Sequence, residues 1–309
     1  MHEPHRRPAE SSAALWAPLA RFIAAEDRLG RWAEQRRGRA VAYEFIRFGM
    51  KQAWACLFGG LMVALILATY RWYPVSAALT RYDFMFLAAL AIQAAMLTFR
   101  LETIEEAKVI LIFHIVGTAM EYFKTGVGSW VYPEASLFRI GGVPLFSGFM
   151  YASIGSYIAR VWRLFDFRFT HHPPLWTVVL LGIAIYVNFF AHHFIVDIRW
   201  GLFAVMAVMF GRTMIYFKIW RVHRHMPLLL ANFLAALFVW LAENIGTFTK
   251  TWLYPHQAQG WSVVSLGKLG SWCLLLVISY AMVALINRPQ PFKSDTRAII
   301  AGPLPDAPR

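Results

Sequence analysis

Glu121 closes an apolar run and is followed by Tyr-Phe-Lys-Thr-Gly-Val-Gly-Ser-Trp-Val-Tyr-Pro-Glu134. A second glutamate, Glu243, is followed by Asn-Ile-Gly-Thr-Phe-Thr-Lys-Thr-Trp-Leu-Tyr-Pro-His256. In one register, 243 − 121 = 122, five residues recur: Glu121/Glu243, Thr125/Thr247, Trp130/Trp252, Tyr132/Tyr254 and Pro133/Pro255. Two carboxyls brought to one desolvated cavity would repel each other, leaving a protonated acid beside a carboxylate. That is the outfit for general acid and base work, with the Trp and Tyr rings lining the pocket. The plainer alternative is that each glutamate clamps its own outward loop, through Lys124 or Lys250.

Other polar residues fall within apolar surroundings. His114 lies two turns before Glu121 on the same helix face, and Asn232 about three turns before Glu243. Both could line a cavity or simply hydrogen-bond between helices. His192 and His193, with Asp197 and Arg199, form a further cluster. Adjacent histidines point about 100° apart on a helix and do not share a metal easily, and no histidine pair stands at the four-residue ligand spacing. The cluster therefore reads as interfacial, with Asp197 joined to Arg199 and no metal site. Arg212 and Lys268 are left without a role.

These residues need a scaffold, and composition states which. Of 309 residues 59% are hydrophobic and 15% charged, with a mean hydropathy of +0.49; soluble chains carry nearer a quarter charged residues. Apolar runs long enough for a bilayer span recur along the chain. The formal charge of +13 and a pI of about 10.0 come from the termini and alternate loops, which favours anionic lipid over nucleic acid. Cys56 and Cys273 fall inside apolar runs and read as small hydrophobes. No cleavable signal peptide is expected, since the first long apolar run starts only after about fifty residues.

The expected fold class is all-α: a polytopic membrane bundle of about eight helices, near 50–70, 83–100, 106–123, 143–162, 174–195, 200–218, 226–246 and 262–286. A basic segment, 1–49, precedes a first four-helix repeat, 50–164; a second repeat, 174–286, precedes a tail, 287–309. Leu15, Leu19, Phe22, Ile23, Leu29 and Trp32, interleaved with arginines, suggest a helix lying in the membrane interface. The basic loops put both termini in the cytoplasm by the positive-inside rule. Shifting the first four spans by 122 residues lands them on the last four, so the halves run parallel.

The stretch Met120–Glu134, together with Gly142-Val-Pro-Leu-Phe-Ser-Gly-Phe-Met-Tyr151, resembles the bacterial membrane family called domain of unknown function 817, over about residues 40–288. That resemblance implies a polytopic membrane protein without an assigned activity. More distantly, Glu121, Thr125-Gly126, Trp130-Val-Tyr132 and Gly142-Val-Pro-Leu145 look like the carotenoid hydratase and lycopene cyclase membrane families. That likeness implies protonation of an isoprenoid double bond by an acid, with aromatic faces stabilising the carbocation.

The expectation is a cofactor-independent inner-membrane enzyme, a lyase or isomerase, with Glu121 and Glu243 catalytic. His114, Thr125, Trp130, Tyr132, His192, His193, Asn232, Thr247, Trp252 and Tyr254 would bind an isoprenoid or other lipid substrate. Membrane lipids are the expected partners. The alternative is a small-molecule or ion transporter with an acidic site between two repeats.

Overall fold

The computed structural model describes residue 25 and residues 28–33, 35–74 and 76–292. Leu15, Leu19, Phe22 and Ile23 of the expected interfacial helix lie outside the described residues, as does the tail from residue 293. The chain is mostly helical: α1 (Arg37–Ala55), α2 (Leu57–Trp72), α3 (Arg81–Thr98), α4 (Ile104–Gly126), α5 (Phe146–Phe165), α6 (Leu175–Ala191), α7 (Arg199–Phe210), α8 (Leu228–Phe248) and α9 (Leu266–Asn287). Among the described residues, five short strands join them: β1 (Arg139–Ile140), β2 (Val143–Pro144), β3 (Arg168–Thr170), β4 (Met214–Lys218) and β5 (His223–Pro227).

Two of these helices, α8 and α9, are long and apolar enough to cross a membrane, and α1 with α2 qualifies only as a pair bent by 67°. The expected span at 50–70 is thus broken at Cys56. The span expected at 200–218 is also corrected: α7 stops at Phe210, and Met214–Lys218 becomes a strand. Hydrophobicity does not distinguish a short apolar strand from a helix. Ile215, Tyr216 and Phe217 are β-branched or aromatic, the types that suit a pleated surface.

The described residues form two compact units. The first comprises 1–164 with 238–269, and the second 165–237 with 270–309. Both copies of the glutamate motif belong to the first.

Within the first unit, α4 starts on a reciprocal capping box. Thr103 Oγ1 accepts from the Glu106 amide at 3.2 Å, and Glu106 Oε2 accepts from the Thr103 amide at 2.9 Å. Arg163 pairs with Glu106 at 3.0 Å, and Arg160 with Glu102 at 3.1 Å, the latter pair having no exposed side-chain surface. Ser156 and Gln93 also donate to Glu102. The crossing of α4 and α5 is close because Gly117, Gly148 and Gly155 face Tyr151, His114 with Thr118, and Phe113, where a β-carbon would collide.

The second unit holds an antiparallel sheet in the order β3-β4-β5, with Arg168 opposite Tyr216 and Met214 opposite Pro227. His172 joins the start of α6 to α9. Its Nδ1 faces the Pro173 carbonyl at 2.6 Å and its Nε2 the Tyr280 hydroxyl at 2.6 Å. A carbonyl only accepts, so Nδ1 carries the proton and Tyr280 donates to Nε2. Burial depresses the His172 pKa, outweighing the Pro173 contact, and keeps the ring neutral.

Candidate functional site

The two glutamate motifs sit on helix ends of the same construction. Glu121 lies five residues before the end of α4 (126 − 121) and Glu243 five before the end of α8 (248 − 243). Each helix stops on a residue with positive φ, Gly128 at 74° and Lys250 at 54°. The next amide reaches back to a carbonyl five residues earlier: Ser129 to Lys124 and Thr251 to Gly246, both at 2.9 Å. This closure is the Schellman type, favoured by glycine because the left-handed region crowds a β-carbon. The two tails then meet antiparallel, and Val131 and Leu253 exchange both backbone hydrogen bonds at 2.9 Å.

Glu121 is 3% exposed and accepts from three side chains. The Trp130 indole N–H donates to Oε2 at 2.6 Å, the Tyr132 hydroxyl to Oε2 at 2.8 Å, and the Tyr151 hydroxyl to Oε1 at 2.6 Å. Indole N–H is a donor only, so Oε2 is an acceptor. Burial first, and then the Glu121 carboxylate, push the Tyr132 phenol well above its ordinary pKa, so it stays protonated as a donor.

Glu243 is 5% exposed and accepts from the Tyr254 hydroxyl. Burial, then Glu243, then Glu121 all act to raise the Tyr254 pKa. This phenol therefore feels both carboxylates, which links the two motifs electrostatically. Its ring meets Trp130 edge-on with centroids 6.0 Å apart. The Lys268 ammonium stands over both rings, 4.4 Å from the Tyr254 centroid and 5.2 Å from that of Trp130, within cation–π range. Lys268, which sequence left without a role, thus belongs to this cluster.

The two copies part at the tryptophan, although the tyrosine two residues on bonds its own glutamate in both. Trp252 packs its indole against Gly246, where a β-carbon would fall inside the ring. Thr247 is fully buried, donating to the Asn244 carbonyl at 3.2 Å and accepting from the Trp261 indole at 3.1 Å. Thr125 keeps a buried hydroxyl without a hydrogen-bond partner and sets its methyl against Gly142. The His114 ring lies 4.4 Å from that of Phe149 at a tilt of 43°, and its Nδ1 is likewise buried without a hydrogen-bond partner.

His192, His193 and Asn232 belong to the second unit. Asn232 donates to the Cys273 carbonyl at 2.9 Å, a bond between α8 and α9. His192 and His193 lie ring to ring at 4.1 Å, with His192 Nδ1 on the Asn188 carbonyl. Asp197 takes Arg199 at 2.5 Å, as the sequence suggested.

Sequence reasoning passed over the first turn of α3. Arg81, 8% exposed, pairs with Glu134 at 2.6 Å and reaches the Thr249 carbonyl. Tyr82 donates to the Thr251 carbonyl at 2.8 Å. Asp83 accepts from the Leu137 and Phe138 amides, each at 2.8 Å, and from Thr80 at 2.6 Å. Three consecutive polar residues thus hold the end of the first motif, the chain that follows it, and the middle of the second motif. The available signal was the cost of placing Arg81 and Asp83 at the head of an apolar run.

Residues 44–280 match the family described as protein of unknown function (DUF817). The chain is 42% identical over 245 residues to the uncharacterized protein YoaT of Bacillus subtilis (strain 168), covering 79% of this chain and 92% of that protein. No solved structure matches. With the family matched over most of its length and a relative spanned almost completely, this chain belongs to the DUF817 family.

Proposed function

We propose that this protein is a multi-pass inner-membrane enzyme that moves protons on an isoprenoid or other lipid substrate, using Glu121 and Glu243 and no cofactor. The observation that carries the reading is Tyr254: bonded to Glu243, edge-on to the Trp130 that holds Glu121, and subject to the charge of both carboxylates. Glu121, ringed by donors, is the base, and Glu243 is the acid. Glu121 removes a proton from one carbon while Glu243 delivers one to another, so a double bond migrates without change of oxidation state. The Trp and Tyr faces stabilise positive charge that develops between these events.

The membrane reading has its own support. The apolar window of α8 is only 17% buried, and Phe45, Trp72, Trp176, Val208 and Phe238 are all more than half exposed, more apolar surface than water tolerates. About eight crossings, arranged as two parallel four-helix halves with cytoplasmic termini, accord with the basic loops. The in-register ends of α4 and α8, and the bridge between Val131 and Leu253, support a duplicated design.

The test is a lipid and pigment profile of a deletion strain complemented with the wild type, Glu121→Gln or Glu243→Gln. Accumulation of one precursor in the deletion and both variants supports the enzyme; unchanged profiles in every strain sink it. The 67° break between α1 and α2 favours a second reading, transport, because interrupted helices commonly build transporter sites. Solute flux into proteoliposomes that Glu121→Gln abolishes, with lipids unchanged, would select it.

A further inference from the structure

We propose that α1 lies in the plane of the cytoplasmic leaflet, with its outward face among the acyl chains of an anionic bilayer, and does not cross it. This rests on the membrane reading above, not on the acid–base chemistry. Among the residues of α1 whose burial is described, the exposed ones are Gly38, Val41, Ala42, Phe45, Ile46, Gly49 and Ala53. At helical spacing they form one stripe, and each is apolar or glycine. Phe45 is 76% exposed, Val41 61% and Ile46 59%.

Lys51 and Gln52 of the same helix turn the other way, onto α5, and Arg47 folds back along its own helix. Lys51 donates to the Leu164 carbonyl at 2.7 Å, Gln52 accepts from Tyr157 at 3.3 Å, Arg47 donates to Tyr43 at 3.4 Å, and the Trp54 carbonyl accepts from Arg160 at 3.2 Å. A surface helix in water does the reverse, hiding its apolar stripe and exposing its charges. An inverted helix of this kind is stable only where its surroundings are hydrocarbon.

Depth follows from the partners. Tyr157, Arg160 and Leu164 lie in the C-terminal half of α5, the end that carries Arg163 and faces the cytoplasm by charge bias. The 67° bend at Cys56 turns α1 away from the line of α2. At 1.5 Å per residue α1 is about 28 Å long, so in that plane its whole stripe stays at one depth. Arg28, Arg31 and Arg36, exposed just before α1, suit anionic headgroups, and the exposed Leu29 and Trp32 extend the apolar face. Arg39 stacks over Trp32 at 4.4 Å. The occupant is therefore the lipid itself. A second copy of the chain is the competitor, because Gly38/Ala42 and Gly49/Ala53 provide small residues four apart on the stripe.

The experiment places single spin labels through Val41→Cys, Phe45→Cys, Ile46→Cys and Ala53→Cys in a Cys56→Ser, Cys273→Ser background. The full chain is reconstituted in phosphatidylcholine vesicles containing phosphatidylglycerol. All four labels should be reached by oxygen and shielded from a water-soluble nickel chelate. They should share one depth, about 5–10 Å into the leaflet, with line shapes unchanged by dilution with unlabelled protein. A depth that increases steadily from 41 to 53 means that α1 crosses, chelate access means water, and broadening relieved by dilution means a second copy; each overturns the proposal. For any cysteine variant that aggregates, a photoreactive phenylalanine at that position gives the same decision, by crosslinking to lipid or to protein. These labels report equally in an inactive Glu121→Gln protein, so this proposal and the enzymatic one fail separately.

Discussion

Val131 and Leu253 exchange both of their backbone hydrogen bonds, although 253 − 131 = 122 residues separate them. The interval equals the spacing of the two glutamates. A symmetric antiparallel bridge between residues in equivalent register places a local twofold relation between the motifs, with Trp130 and Tyr132 flanking one side of the bridge and Trp252 and Tyr254 the other.

Removing either donor should therefore cost the same. Val131→Pro and Leu253→Pro are each expected to lower stability by about 1–3 kcal/mol, the cost of a lost bond and a stranded carbonyl. The double variant should lose less than the sum, because both changes act on one bridge. Denaturation in detergent checks this, and strict additivity would refute it.

Glu121→Gln should fold, with a preferred orientation. Trp130 can only donate, so the amide oxygen must remain with Trp130 and Tyr132 and the NH2 must face Tyr151, whose hydroxyl can turn to accept. Adding Tyr151→Phe removes that acceptor. The pair should then lose less than the sum of the single variants, because both changes break the same contact and the bond to the charged carboxylate is the stronger one, measured as a double-mutant cycle.

Arg160→Met should be among the more damaging changes in the first unit. It leaves Glu102, wholly buried, without its cation, at an expected cost of about 3–5 kcal/mol. Adding Glu102→Gln removes the stranded charge and should restore part of that loss, visible as a recovery of the thermal midpoint.

His172 predicts an acid-sensitive junction in the second unit. Its folded pKa is depressed by burial, so the unfolded chain binds the proton more readily. The stability it contributes is complete above the ordinary histidine value of about 6.5 and is lost as pH falls from there through the folded value. His172→Gln should flatten that part of the stability profile; an unchanged slope between wild type and variant would count against it.

Much of this was legible in the sequence, and the reasons differ by element. The helices at Glu121 and Glu243 were readable because apolar runs ended on glycine, aromatic and proline signals in one register. The same recurrence marked Trp130 and Tyr132 beside Glu121 as rings lining a pocket, but not as its hydrogen-bond donors. By contrast, β4 looked like the end of a membrane helix, since Met214–Lys218 differs from helical neighbours in side-chain shape more than in hydrophobicity. Tyr151, Arg81, Asp83 and Lys268 reach the motifs from other helices, and nothing in local spacing encodes such meetings. For Asn232 the sequence left a cavity position and an interhelical bond open, because a face shared with Glu243 along one helix does not determine which neighbour each side chain meets; its amide donates to the Cys273 carbonyl.

The contact between Trp252 and Gly246 carries a consequence for how two similar segments came to differ. In the 122-residue register, position 246 corresponds to Lys124 (246 − 122 = 124). One segment has a vacancy where the other has a side chain, and the ring of Trp252 fills it. In the other segment no such berth exists, and Trp130 turns to the carboxylate instead. A glycine in one segment and a lysine at the same register position in the other thus go with one tryptophan in packing and its counterpart in polar recognition. Gly246→Ala should evict Trp252 and, in a fluorescence or crosslinking readout, bring it toward Glu243. Symmetry at the level of sequence is broken here at one helix-end position, lysine in one segment and glycine in the other.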